Sequence, residues 1–411
     1  MRFLTGGESH GRGLVAILEG MPAGVRITAE LVSRELRRRR HGYGRGERMR
    51  KRVDRPILLS GVRHGETIGS PLSVYIPNGE RERWARIMSV REEDRVSTAG
   101  GQISRPRPGH SDLAGALKYG REDIRDVLER ASARETAARV ALGACVKAFL
   151  GIFGIEFGSH VCSIGPAVGK GWFDGLRNRV LSGKVSLGNA DGDPIRSADR
   201  KLSRKAVEEI DAARRSGETL GGVFEVIALG VPVGLGSYSQ WDCRLDSRLA
   251  AAVMSIPGVK GVEIGPAFEN ARLQGSAVHD VLYVEQESGH KGIGIYRKTN
   301  RAGGIEGGVS NGEEIVVRAA MKPLSTLRKP LPSVDLKTLR ADVAVVERSD
   351  VCAVPAAAIV GESMVAMVIA DLFLEKFGGD SVREVGRNLE SFLREVRERL
   401  GRQKDDGREP A

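Results

Sequence analysis

Residues 351–374 read Val-Cys-Ala-Val-Pro-Ala-Ala-Ala-Ile-Val-Gly-Glu-Ser-Met-Val-Ala-Met-Val-Ile-Ala-Asp-Leu-Phe-Leu. By length and apolarity this is the chain's nearest approach to a membrane span. Pro355, Glu362 and Asp371 interrupt it, alanine is abundant, and no aromatic belt flanks it. It therefore reads as a helix buried at the centre of a large domain or a subunit interface. Outward from it, strand-like runs recur at Leu14–Leu18, Leu72–Ile76, Gly222–Leu229, Val259–Ile264, Glu314–Arg318 and Asp342–Val346. Helical patterns cover Ala29–Arg40 behind a Thr28 cap, Arg134–Phe149 with a stripe of small residues, and Leu202–Arg215 ending at Gly217. A further amphipathic helix carries Val382, Val385, Leu389, Phe392, Val396 and Leu400. Strands and helices mix without regular βαβ alternation, which predicts an α+β fold. We expect one large domain over residues 1–401, a surface loop at about Gly188–Asp199, and a disordered polar tail at 402–411.

The 411 residues include 64 Lys+Arg and 53 Asp+Glu, for a net charge of +11, with 41% hydrophobic residues. That balance excludes a disordered or membrane-spanning chain and predicts anionic partners. Fifty-three glycines are about twice the usual ~7% and cluster beside charged residues, as ligand-contacting loops do. Cys145, Cys162, Cys243 and Cys352 are too scattered for a disulfide framework or zinc site. The N-terminus has no apolar signal-peptide core, so a cytoplasmic location is expected, with no membrane partner.

Four regions hold the materials of a site. Gly6-Gly7-Glu8-Ser9-His10-Gly11-Arg12-Gly13 surrounds a Ser-His pair with glycine. It contains the letters of a nucleophile elbow, but only six residues precede the motif and a strand-like run follows where a helix should. The same stretch could equally be an N-terminal turn with a solvated histidine. Residues Arg34–Arg55 hold eleven basic and three acidic side chains, a net of +8, and their middle interleaves arginine with glycine. That pattern favours a loop wrapping an anion, since the arginine fork matches carboxylates and phosphates. Ser104-Arg105-Pro106-Arg107-Pro108-Gly109-His110-Ser111-Asp112 is a stiff segment delivering His110 ahead of a helix capped by Ser111 or Asp112. Phosphate-cradle materials recur at Arg130–Thr136, Arg301–Gly308, Met321–Thr326 and Arg348–Asp350.

Together these motifs resemble the chorismate synthase family. The resemblance is carried by Gly-Glu-Ser-His-Gly at 7–11, Gly-Tyr-Gly-Arg-Gly at 42–46, Arg-Pro-Arg-Pro-Gly-His at 105–110 and Glu-Arg-Ala-Ser-Ala-Arg-Glu-Thr at 129–136. It continues through Leu-Gly-Gly at 220–222, Arg-Ala-Gly-Gly at 301–304, Met-Lys-Pro at 321–323 and Arg-Ser-Asp-Val-Cys-Ala-Val-Pro-Ala at 348–356. The blocks run in order from Met1 to about Asp380. The resemblance implies helices sandwiched between antiparallel sheets, a homotetramer, and reduced FMN (FMNH2) held near subunit contacts. It implies elimination of phosphate from 5-enolpyruvylshikimate 3-phosphate to give chorismate, in the shikimate pathway of aromatic amino acid biosynthesis.

Site roles follow from the same resemblance. His10 would protonate the departing phosphate, His110 would protonate or stabilise the reduced flavin, and Asp350 would relay a proton. Ser9, Arg39, Arg45, Arg48, Arg107, Arg134 and Arg348 would bind the substrate. FMN contacts would come from Arg130, Ala131, Ser132, Pro257, Gly258, Gly307, Gly308, Lys322, Pro323, Leu324, Ser325, Thr326 and Arg348. Arg39 and Arg45 are alternatively NADPH contacts, and the resemblance leaves that choice open. The long insertion of forms that reduce their own flavin is absent, so an external flavin reductase is expected, with NADPH only an indirect reductant. The alternative of another class is an RNA-binding protein using Arg34–Arg55, against which sparse aromatics and the lack of a recognisable RNA module count.

Overall fold

Two antiparallel sheets face one another across a layer of helices. The computed structural model describes residues 1–46, 53–79, 81–94, 102–284, 295–347 and 349–401. In the first sheet, β1 (Arg2–Gly6), β2 (Gly13–Glu19), β3 (Ile57–Ser60) and β4 (Leu72–Pro77) lie in the order β1-β2-β4-β3. Period-two alternation puts Leu14, Ala16 and Leu18 on the same buried face as Leu72, Val74 and Ile76. The register pairs Leu14 with Ile76 and Leu18 with Leu72. The second sheet contains β5 (Glu156–Ile164), β6 (Ala167–Val168), β7 (Gly222–Leu229), β8 (Val259–Ile264) and β9 (Ile315–Met321), ordered β8-β9-β7-β5-β6.

The helical layer is built from α1 (Ala29–Arg40), α2 (Thr136–Gly151) and, later in the chain, the long apolar helix, with α3 (Arg200–Ser216), α4 (Leu245–Met254) and a C-terminal helix around it. The long helix is α5 (Val354–Phe377) and the C-terminal one α6 (Val382–Gly401). Helix α2 packs on β2 and β4, α5 packs on β5 and β7, and α2 and α5 pack on each other. The fold is thus α+β with helices sandwiched between antiparallel sheets. Although α5 is long and apolar enough to cross a membrane, protein surrounds it. One hydrophobic cluster runs from Leu14 to Leu389.

Small residues let the layers close. A Cβ at Gly143 of α2 would sit 2.3 Å from the Ser363 Cβ of α5. A Cβ at Gly361 would sit 2.8 Å from the Phe224 ring of β7. Local signals also act as expected: the Thr28 hydroxyl accepts from the Leu31 amide at 3.1 Å, and Gly217 ends α3 at φ 78°.

Two expectations are corrected. The segment 188–199 is no simple surface loop: it holds a 3₁₀ turn (Leu187–Gly192), and Ile195, Arg196 and Ser197 are buried. The Arg196 guanidinium goes inward because Glu362, fully buried on α5, lies 3.5 Å away. The strand at Asp342–Val346 is instead a hairpin arm at Arg340–Val343, paired with Pro332–Asp335. Beyond it the backbone leaves to bond elsewhere, with the Val345 amide donating to the Arg105 carbonyl at 3.3 Å. The helix expected at Ala29–Arg40 forms with those bounds, and from His41 the glycine-interleaved stretch turns away from it. The expected tail at 402–411 lies outside the described residues.

Candidate active site

The loop joining β1 to β2 carries Ser9 and His10. Gly7 has φ 101°, and a Cβ there would lie 2.2 Å from the Gly13 carbonyl oxygen, so only glycine closes this turn. Asn78 secures the loop, its Nδ2 donating to the Glu8 carbonyl at 3.0 Å and the Gly11 carbonyl at 2.8 Å. His10 is buried, which excludes the solvated turn. Its Nδ1 lies 2.7 Å from Glu129 Oε1, and its backbone amide donates to Glu129 Oε2 at 2.7 Å. The Trp84 ring stacks on the imidazole at 4.1 Å, and the Arg125 guanidinium lies over that indole at 5.2 Å.

Arginines surround this loop. Arg134 precedes α2 in a 3₁₀ turn, pairs with Asp54 at 2.9 Å, and donates from Nε to Asn78 Oδ1 at 3.1 Å. Arg39, on the last turn of α1, donates to Thr136 Oγ1 at 2.9 Å and to the Ala133 carbonyl at 2.7 Å, beside the N-terminus of α2. The next residues bring the chain to the N-terminus of α5, where a Cβ at Gly42 would meet Pro355 at 2.9 Å. Arg45 pairs with Asp350 at 2.6 Å, and the Gly46 amide donates to the same carboxylate at 2.7 Å. Two helix N-termini and several buried guanidinium groups thus flank residues 39–46, a field that favours anions.

A second imidazole is held in a cluster of its own. Asp112 is not the expected helix cap; Ser111 occupies that position and makes no side-chain cap bond. The buried Asp112 carboxylate instead holds Arg107 Nε at 2.8 Å and His110 Nδ1 at 2.5 Å. Burial acts against this charge, yet hydrogen bonds and charge from His110 and Arg107 hold the carboxyl well below the usual carboxylate range. Arg107 Nη1 also donates to Thr326 Oγ1 at 2.8 Å. Ser349, next to Asp350, donates to the Thr326 carbonyl at 2.7 Å and ties this cluster to the Arg45 pair.

Most flavin-contact candidates gather here. Lys322 Nζ donates to the Gly109 carbonyl at 2.7 Å and to Ser325 Oγ at 2.8 Å. Burial first, and Lys260 second, hold its ammonium below the usual lysine range. The Lys322 amide donates to the Gly258 carbonyl at 2.9 Å, placing Pro257 and Gly258 beside Pro323 and Leu324, whose carbonyl accepts from Thr219. Arg130 reaches the carbonyls of Thr5 at 3.0 Å and Gly7 at 3.2 Å, with Ala131 ending its short helix and Ser132 capping the following turn. Gly307 and Gly308 are not brought to the group within this chain. They form the turn of the Ile305–Ser310 hairpin, which leads into the start of β9, whereas Lys322 follows its end. Arg48 and Arg348 lie outside the described residues.

The sequence reading omitted Glu129, Asp112 as an ion partner, Asn78 and Trp84. Glu129 and Asp112 stand at or beside quoted motifs, so their acidity was a usable signal. Asn78 and Trp84 sit in unremarkable sequence and carried none. An open cleft of roughly 280 Å³ is lined by His41–Tyr43 and Asp191–Pro194. Its wall carries carboxylates and not arginines, so it does not suit the anion for which the rest is built.

An α+β sandwich with two carboxylate-held imidazoles and buried arginines at helix ends has the materials of an enzyme's site. A family model described as Chorismate synthase matches residues 1–374. The chorismate synthase of Pelobacter propionicus is 51% identical over 399 residues, covering 97% of this chain and 99% of the relative. That of Mycolicibacterium smegmatis is 51% identical over 403 residues, covering 97% and 98%. A crystal structure of chorismate synthase superposes with a TM-score of 0.75 at 42% identity, covering 96% of this chain and 98% of that one. The chain belongs to the chorismate synthase family.

Proposed function

We propose that the protein is a carbon–oxygen lyase that eliminates phosphate from 5-enolpyruvylshikimate 3-phosphate in an anti-1,4 sense, giving chorismate, with reduced FMN as cofactor. One observation carries the reading: His10 and His110 are each held on a buried carboxylate, and Arg39, Arg45, Arg107 and Arg134 are each fixed by buried or half-buried partners. The substrate bears two carboxylates and a phosphate, and guanidinium groups recognise both in bidentate fashion. His10 delivers a proton to the leaving phosphate, a task suited to an imidazole near neutral pH. Asp350, fixed by Arg45 and the Gly46 amide, serves as proton relay.

The residues present fit a flavin phosphate. The Lys322 ammonium, the Ser325 and Thr326 hydroxyls and the left-handed Gly109 turn form a cradle, in which a Cβ at Gly109 would come 3.4 Å from Ser325 Oγ. When bound, a reduced flavin supplies the electron density and basic nitrogen that no side chain here offers. His110, beside this cradle, holds or gives a proton at its imidazole. Gly307 and Gly308 belong to this reading only across a subunit contact, which a homotetramer with cofactor near its contacts provides. A cytoplasmic location, an external flavin reductase and NADPH as indirect reductant complete it.

Arg38, Arg39 and Arg45 turn to protein partners, which takes three of the eleven basic side chains of Arg34–Arg55 away from an RNA-binding surface. Anaerobic incubation with FMN, dithionite and 5-enolpyruvylshikimate 3-phosphate tests the function. Release of phosphate with formation of chorismate is expected, and absence of phosphate release overturns the reading.

A further inference from the structure

We propose that Glu129 is a positioning residue that holds the His10 ring by its Nδ1–H, so that Nε2 faces the ligand and is the atom from which the protonated ring gives up its proton. The proposal rests on the assignment of His10 to the substrate made above. The tautomer follows from elementary hydrogen-bond chemistry. An ionised carboxylate only accepts, and a backbone amide only donates. Glu129 Oε2 takes the His10 amide at 2.7 Å, and Oε1 faces Nδ1 at 2.7 Å. For that second contact to be a hydrogen bond, the proton must be on Nδ1.

Three features make this a holder. Glu129 is 1% exposed on the short helix Arg125–Arg130, where its side chain has little freedom. Its own carbonyl accepts the Ser9 amide at 3.0 Å, so one residue grips the loop at two successive positions. Trp84 covers a face of the imidazole, opposing rotation out of the carboxylate's plane. Arg125, one turn earlier on the same helix, sets its Nη1 3.9 Å from Oε1 and gives the buried carboxylate an opposite charge. Burying a carboxylate is costly, and anchoring a loop alone does not need one.

Glu129→Gln separates holding from mere packing. The amide keeps the shape but offers one acceptor and one donor group. The buried His10 amide must keep an acceptor, because an unmet buried N–H is costly. The NH₂ group then faces Nδ1, and the ring answers by moving its proton to Nε2. Nitrogen-15 NMR of labelled imidazoles, at alkaline pH where histidine is neutral, reads the tautomer without any turnover. We expect the Nδ1–H form in wild type and the Nε2–H form in E129Q. We also expect kcat to fall by about 10²–10⁴ with KM nearly unchanged, as for other misheld catalytic imidazoles. Glu129→Asp, which keeps two acceptors, should restore the wild-type tautomer and part of kcat.

The same Nδ1–H tautomer in E129Q as in wild type, or unchanged kcat in a variant with the altered tautomer, overturns the proposal. Should wild type release no phosphate, the reaction assigned above falls, and the NMR comparison still decides whether Glu129 holds the ring.

Discussion

Glu362, fully buried on α5, receives the Arg38 guanidinium of α1 on both of its oxygens, at 2.7 and 2.9 Å. Lys147 of α2 reaches the same carboxylate at 2.9 Å, and Ser159 of β5 donates to it at 2.7 Å. One anion therefore ties three helices to the second sheet. Burial opposes its charge, yet Lys147, Arg38 and Arg196 hold the carboxyl well below the usual range. Glu362→Ala strands those cations, and we expect a loss of about 3–5 kcal/mol in urea unfolding. A loss below about 1 kcal/mol would contradict this role.

The α2–α5 crossing depends on the missing side chain at Gly143. Gly143→Ala forces a methyl against Ser363 and should cost about 1–3 kcal/mol in the same assay. Adding Ser363→Gly should recover part of that loss, because the two positions share one contact.

Glu225 on β7 is buried between His160, at 2.8 Å, and Arg318, whose Nε donates at 2.9 Å. Burial alone would raise its pKa, but His160 and then Arg318 bring it down to about 2. The folded value is depressed, so the pair contributes fully above the unfolded pKa of about 4.3. That contribution is lost as pH falls toward 2. Across that window, wild type should lose stability more steeply than Glu225→Gln, as read from urea midpoints at successive pH values.

Replacing His10 or His110 by alanine should lower the rate of phosphate release by about 10²–10⁴ while the protein stays folded. Normal turnover by both variants would show that neither imidazole moves a proton in the reaction.

Burial pushes the thiols of Cys145 and Cys352 up to about 12, and raises that of Cys162 as well. Cys243 is the partly exposed one. A thiol reagent at pH 8 should modify Cys243 first, and the other three only on unfolding. Fast modification of all four in the native protein would contradict the packing.

Much of the frame was legible because it rests on local chemistry. The Thr28 cap, the Gly217 stop and the alternation of β2 and β4 all act within a few residues. The centre of the site was legible as motifs, since His10, Arg107 and Lys322 sit in unusual company. What stayed hidden is direction and partnership. Arg38 and Arg39 are neighbours in a run of four arginines, yet about 100° of helical rotation sends one into the core and the other toward α2. Nor could spacing pair His10 with Glu129, 119 residues away. Such choices belong to the packing of distant segments.

The position of α5 in the chain bears on how the protein comes to exist. The helix that covers β5 and β7 begins only at Val354. During synthesis, β1 to β9 all leave the ribosome before it, and β5 and β7 have no α5 to cover their inner faces. Exposed sheet faces of that kind attract other chains. The interval between the synthesis of β9 and that of α5 is therefore when those faces stand open to other chains.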